Sequence, residues 1–199
     1  MMINLPETIK FVITDFDGIV TDNCVYIDSR GEMTRKLNFK DVMAFSILRK
    51  KGYHIGIVSG EKNSAIEILA KKFNIEEVHQ DIRIKIDVIK SIVERYQLKP
   101  EEFVYIGDDI NDLDSLKYAK YAITVPDAVE QIKAIEGIQV TTSHGGNGAF
   151  REIVDSLVKW HFINKREILC VYKNSNIETS SCKTSMFIIL YSYGDMAKW

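Results

Sequence analysis

Hydrophobic and polar positions follow two rhythms along this chain. Runs such as "KFVITDF", "YHIGIVS", "EFVYIGD" and "YAITV" are nearly continuous in branched and aromatic residues, as strands buried on both faces are, and the shorter "EEVHQ" and "IQVTT" extend the set. Between them lie segments in which apolar residues recur every three to four positions: "DVMAFSILRKK", "NSAIEILAKKF", "RIKIDVIKSIVERY", "DLDSLKYA", "AVEQIKAIE" and a last one from Ala149 to Trp160. Strands separated by helices predict right-handed crossovers, hence an α/β fold with a Rossmann-like parallel sheet and helices on both faces. Pro100 and Gly107 punctuate the pattern where this reading needs boundaries. One segment breaks the alternation: Cys24 to Phe39 has two extended runs around "DSRGE" and predicts a β-hairpin projecting from the end of the first strand.

Composition narrows the function. A chain of 199 residues, 46% hydrophobic, is long enough for one packed domain with a short appendage. Lys and Arg number 26 against 28 Asp and Glu, a net charge of −2, so no positive field draws a polyanion and nucleic acid is not an expected partner. The N-terminus "MMINLPETIK" lacks the basic and apolar regions of a signal peptide, and the apolar run "MFIILY" is too short to span a bilayer; the expectation is a soluble, cytoplasmic protein with no membrane partner. Cys24, Cys170 and Cys182 are odd in number and have no CxxC spacing, so they are expected as reduced thiols.

Candidate chemistry gathers at the strand ends. "FVITDFDGIVTDN" sets Asp15, Asp17 and Asp22 at the end of an apolar strand, "IVSG" ends its strand in Ser59, and "FVYIGDDIND" ends in Asp108, Asp109 and Asp112, while Lys85 opens the helix after the short third strand. In an open parallel sheet ligands bind beyond the carboxyl ends of the strands, so four polar sites converge on one rim. Carboxylates so close repel unless a proton or cation lies between them, and a hard divalent ion with oxygen ligands, Mg²⁺, suits the set. A hydroxyl and a lysine beside it suit a phosphoryl group. Taken singly, each residue has a plainer reading: a DxD as a turn, Ser59 as a helix cap, Lys85 as a solvated helix face. Among the histidines, His54 reads as packing, whereas His79 and His144 lie nearer the rim.

The ordered set, DxDGxxTD, a strand ending in Ser, a Lys, then GDDxxD, resembles the haloacid dehalogenase superfamily of phosphatases over residues 9 to 155. The resemblance implies that Asp15 is the nucleophile forming an aspartyl phosphate. It makes Asp17 the acid and base, with its main-chain carbonyl on the metal, and it gives the metal the carboxylates of Asp15 and Asp108. Ser59 and Lys85 would hold the phosphoryl oxygens, and Asp109 and Asp112 would support the metal site and Lys85. Neither inter-motif gap is long enough for a cap domain. "DGIVTDNCVYIDSRGEMTRKLNFKD", "SGEK" and "GGNGAFRE" are further similar to the capless sugar-acid phosphatases, the group of 3-deoxy-D-manno-octulosonate 8-phosphate phosphatase and its nonulosonate 9-phosphate relatives. That likeness implies a homotetramer assembled through the hairpins, each subunit helping to close its neighbour's site. It also implies a phosphorylated sugar acid facing Gly60, Glu61, Lys40, Asp41 and Arg151.

Several alternatives stay open at this level. "GGNG" reads equally as ligand contact or as a plain loop before a helix, and Glu61 as a specificity residue or a helix N-terminal charge. Some related domains fused to sialate cytidylyltransferases act mainly as assembly modules, although this chain keeps every catalytic position. The octulosonate 8-phosphate is the first expected substrate and a nonulosonate 9-phosphate the second. The phosphatase domain is expected over residues 1–161. Residues 162–199 form an extension whose two β-rich runs read as a hairpin, a partner-binding segment or a loose appendage.

Overall fold

A computed structural model describes residues 3–158 of the chain. The extension from 162 to 199, and the last two residues expected in the final helix, lie outside the described residues. Six parallel strands form the sheet: β1 (Phe11–Thr14), β4 (His54–Val58), β5 (Glu77–His79), β6 (Phe103–Ile106), β7 (Tyr121–Thr124) and β8 (Gln139–Val140), in the order β5-β4-β1-β6-β7-β8. The expected hairpin is present as β2 (Tyr26–Ile27) paired antiparallel with β3 (Met33–Thr34), apart from the main sheet. The helices are α1 (Phe39–Lys50), α2 (Ser64–Phe73), α3 (Lys85–Arg95), α4 (Leu113–Tyr118), α5 (Glu130–Lys133) and α6 (Ala149–Val158).

The strands lack polar alternation because both faces are covered. β1 and β6 are buried at every position. α1 packs against α2 and α6 in one layer and α3 against α4 in the other, with Phe45 of α1 stacked on Phe73 and tilted against Phe150 at a centroid distance of 4.6 Å. Asparagines start two of these helices: Asn38 accepts from the Lys40 amide and Asn63 from the Ala65 amide, which satisfies donors the first turn leaves open.

Chain order places the site. From β1 the chain runs through α1 to β4 on one side, whereas from β6 it runs through α4 to β7 on the other. Their carboxyl ends therefore part at β1 and β6, and a crevice opens where the connections diverge. The register is level there, with Thr14 opposite both Ile57 and Ile106, and the Asp15 amide continues the ladder by donating to the Ile106 carbonyl at 2.8 Å. Asp15 and Ser59, which follow β1 and β4, and Asp108, two residues past the end of β6, thus emerge within one position of the same height.

Candidate active site

Each acidic residue of the crevice has a distinct environment. Asp15 is buried, its Oδ1 accepting from the Phe16 amide at 2.6 Å and its Oδ2 lying 2.9 Å from Lys85 Nζ. Lys85 in turn donates to Asp112 Oδ1 at 2.8 Å, and the Tyr105 hydroxyl donates to the same oxygen. Asp112 Oδ2 accepts from the amides of Asp108 and Asp109, which folds the "GDDIND" turn back onto itself. Burial alone would lower the Lys85 pKa, but Asp15 and Asp112 outweigh it and raise it, so the ammonium is held charged.

Carboxylates outnumber the cation here. Oxygens of Asp15, Asp108 and Asp112 lie within 4.8 Å of one another, and with Lys85 among them three negative charges face one positive. Burial, then the Asp112 charge, raises the pKa of Asp15 well above the carboxylate range, and the same two causes push Asp108 up to about 7. Asp108 Oδ1 is buried with no hydrogen-bond partner. A buried oxygen left unpaired costs about 1–3 kcal/mol, so its presence points to a missing ligand. The uncompensated two charges equal one divalent cation, and an all-carboxylate donor set suits a hard one, so these residues fit Mg²⁺.

The loop after β1 is shaped for close approach. Gly18 has φ +88°, and a Cβ there would lie 2.0 Å from Asp108 Oδ2, so only glycine lets the loop pass. Against its far side packs "GGNG": the Gly146 amide donates to Ile19 at 3.0 Å, and a Cβ on Gly145 would meet the Gly18 carbonyl at 1.9 Å. Gly145 and Gly146 thus back the Asp17 turn, while Asn147 and Gly148 line a separate cleft.

A cleft of about 390 Å³ opens above these groups, lined among others by Asp15, Asp17, Ser59, Gly60, Glu61 and Asp109. Ser59 does not cap α2, a role taken by Asn63; its Oγ accepts from the Glu61 amide at 3.2 Å, leaving its proton to donate. Lys85 is no solvated helix face either, being wholly buried between its two carboxylates and outside the cleft lining. Three further expected residues lie elsewhere. Lys40 and Arg151 line a second cleft of about 630 Å³, where Arg151 donates to Asp155 at 2.8 Å. Asp41 is fully buried, accepting from the Gly148 and Arg151 amides at 2.9 and 3.0 Å, so its carboxylate joins α1 to the start of α6 and lines neither cleft. His79 pairs with Glu77 and His144 lies 3.5 Å from Asp127, neither lining the cleft, while His54 stacks on Phe11.

Sequence reasoning missed four contributors. Arg83 and Asn111 line the catalytic cleft, and Tyr105 anchors Asp112 from within β6. Arg35, just past the hairpin, donates through Nε to Asp17 Oδ1 at 2.8 Å. Tyr105 carried a signal: a tyrosine in a wholly buried strand needs a partner for its hydroxyl. Arg83 stands two residues before Lys85, and Asn111 lies inside the acidic motif, but neither position has a rule that assigns it.

A family model for "haloacid dehalogenase-like hydrolase" matches residues 36–120. The structure of a HAD family hydrolase from Streptomyces avermitilis is 33% identical, with a TM-score of 0.72, over 79% of this chain and 91% of that one. The chain belongs to the haloacid dehalogenase-like hydrolases. Within the family it resembles two octulosonate phosphatases. The 3-deoxy-D-manno-octulosonate 8-phosphate phosphatase KdsC of Haemophilus influenzae is 29% identical over 154 residues, covering 77% of this chain and 84% of that protein. The corresponding enzyme of Moraxella catarrhalis, solved with a magnesium ion, a phosphate ion and a KDO molecule, is 26% identical with a TM-score of 0.72, over 84% of this chain and 94% of that one. This haloacid dehalogenase-like hydrolase thus shares its parallel-sheet fold with enzymes of the capless group. Among its described residues, no helix is long and apolar enough to cross a membrane.

Proposed function

We propose that this chain hydrolyses the phosphate ester of a 2-keto-3-deoxy sugar acid, 3-deoxy-D-manno-octulosonate 8-phosphate first, through an aspartyl phosphate on Asp15. It is a phosphoric monoester hydrolase, and the observation that carries the finer reading is the charge imbalance at the crevice, with the unpaired Asp108 oxygen beside the buried Asp15. Asp15 and Asp108, with the main-chain carbonyl of Asp17, would hold Mg²⁺. When bound, the ion supplies positive charge to the phosphoryl oxygens and offsets the repulsion among the carboxylates.

The residues divide the reaction into two displacements. Asp15 attacks phosphorus; the bond to the ester oxygen breaks, and Asp17 gives that oxygen a proton so that it leaves as an alcohol. Asp17, now a carboxylate, takes a proton from a water whose oxygen attacks phosphorus; the bond to Asp15 breaks, inorganic phosphate leaves, and both side chains return to their starting states. Ser59 donates to a phosphoryl oxygen. Lys85 orients Asp15 from within the core and opposes the rise in pKa that burial and the Asp112 charge impose on it.

The substrate assignment draws on the cleft wall. Beyond the phosphate end, Glu61 and Arg83 face the space where the alcohol portion must lie. With Lys40 and Arg151 in the second cleft, Arg83 is the cation lining the catalytic cleft among the described residues, and a sugar carboxylate pairs there. Glu61 accepts hydrogen bonds from hydroxyls, which favours a nonulosonate 9-phosphate as a second reading. The reading includes a catalytic domain over residues 1–161, a cytoplasmic location and a homotetramer. The tetramer has its support in the hairpin, whose Val25, Tyr26, Ile27 and Met33 are 43–66% exposed around an open cleft. Phosphate release from the two sugar-acid esters and a neutral sugar phosphate, with Mg²⁺ and after chelation, tests the function. No metal-dependent release from either acid ester would overturn it, and light scattering tests the assembly.

A further inference from the structure

The hairpin enters the site through one side chain. β2 and β3 are exposed, yet Arg35, the first residue past β3, has a side chain only 9% exposed and places Nε 2.8 Å from Asp17 Oδ1. From the other side the buried Thr21 hydroxyl donates to the same oxygen at 3.0 Å. Asp17 lines the cleft, and its Oδ2 is buried without a partner.

We infer that Arg35 is a positioning residue for the acid and base Asp17: by saturating Oδ1 together with Thr21, it makes Oδ2 the oxygen that exchanges protons. The assignment rests on the proposed phosphatase chemistry, in which Asp17 gives a proton to the ester oxygen in the first displacement and takes one from water in the second. A carboxylate that must serve both steps needs one oxygen fixed and the other free. A guanidinium fixes an oxygen better than an ammonium because its planar fork sets the direction of the bond. Anchoring the hairpin alone does not require this pair. The next residue, Lys36, already ties the hairpin to the same loop through Asp22 Oδ2 at 2.5 Å, and that lysine is half-exposed, as ordinary surface anchors are. Burying a second cation on the proposed acid and base carries a desolvation cost that a mere tether would avoid.

The test exploits how much each leaving group needs a proton. Phenyl phosphate and p-nitrophenyl phosphate share one aryl phosphate frame and differ by a para nitro group, but p-nitrophenoxide leaves readily without protonation and phenoxide does not. The ratio kcat/KM reports the steps up to departure of the alcohol, so it isolates the acid role of Asp17. With Mg²⁺ present, Arg35→Met is expected to lower kcat/KM about 10–100-fold for phenyl phosphate but less than about 3-fold for p-nitrophenyl phosphate. Arg35→Lys is expected to be intermediate. Arg30→Met, at the exposed hairpin tip where Arg30 pairs with Asp28, is expected to leave the ratio of the two esters unchanged. Equal losses on both esters, or none, in an active background overturn the assignment. If Arg35→Met does not fold by thermal melting, Arg35→Lys decides, and an unchanged ester ratio in it overturns the assignment. A wild type that hydrolyses neither ester sinks the phosphatase reading itself and this assignment with it, an outcome distinct from a uniform loss in the variant.

Discussion

Two clefts open on the described residues, and they differ in whether their carboxylates are already answered. In the larger one Arg151 has Asp155, and the Glu152 carboxylate accepts from the Thr142 amide and hydroxyl and the Ser143 amide. In the smaller one Asp108 Oδ1 and Asp17 Oδ2 are buried without partners, and carboxylates outnumber the ammonium among them. Size therefore misleads. Satisfied groups hold a fold together, whereas groups left unsatisfied at a cost of about 1–3 kcal/mol each mark where a ligand completes the structure.

The comparison breaks most sharply at Asp15. Asp15→Asn keeps the shape of the side chain but removes the nucleophile, so turnover is expected to fall by about 10⁴-fold or more. Because the substitution also removes one buried like charge beside Asp108, the metal-free variant is expected to melt at or above the wild type, as differential scanning calorimetry would show. Retained turnover would place the chemistry elsewhere.

Protons can stand in for the absent charge, which gives the contrast a pH dependence. Asp108 titrates at about 7 in the folded metal-free protein against roughly 4 for an ordinary aspartate. Between those values the native state binds more protons than the unfolded one, so this group makes stability fall as pH rises, by about 1.4 kcal/mol per pH unit at most, and levels off above 7. A cation needs the deprotonated form. The rise in melting temperature on adding Mg²⁺ is expected to be larger at pH 8 than at pH 5, and an equal rise at both would remove Asp108 from the ion's ligands.

The two arginines sharpen the contrast on a smaller scale. Arg83→Met is expected to lower kcat/KM for a sugar-acid phosphate about 10–100-fold, the worth of one charged hydrogen bond, while changing that for p-nitrophenyl phosphate little. Arg151→Met, in the satisfied cleft, is expected to shift either by less than about 2-fold. Reversed results would restore the sugar carboxylate to the larger cleft.

Much of this was legible in the sequence. The strand and helix order, the hairpin and the acidic strand ends all came from local pattern, because strands covered on both faces must be apolar throughout and the acidic motifs are short enough to be read whole. The ambiguous "GGNG" was not legible: only the backbone of Gly18 and Asp22 pressed against it shows why small residues are needed there. Asp41 was not legible either: three residues after the Asn38 cap, it is expected to face the sugar acid, yet it is buried on amides 107 and 110 positions away.

The sequence by itself determined the sheet, its direction, the three polar strand ends and the lysine that opens a helix, since each depends on neighbours a few residues apart. Tertiary structure decided which of those ends meet at the divergence of β1 and β6, that Lys85 lies between Asp15 and Asp112, that Arg35 reaches Asp17, and that Arg83 rather than Arg151 shares the catalytic cleft. Those facts depend on loops from distant parts of the chain coming together over one crevice. Side-chain charge has a long reach in sequence but only a few ångströms in space, and folding alone sets which charges come within it.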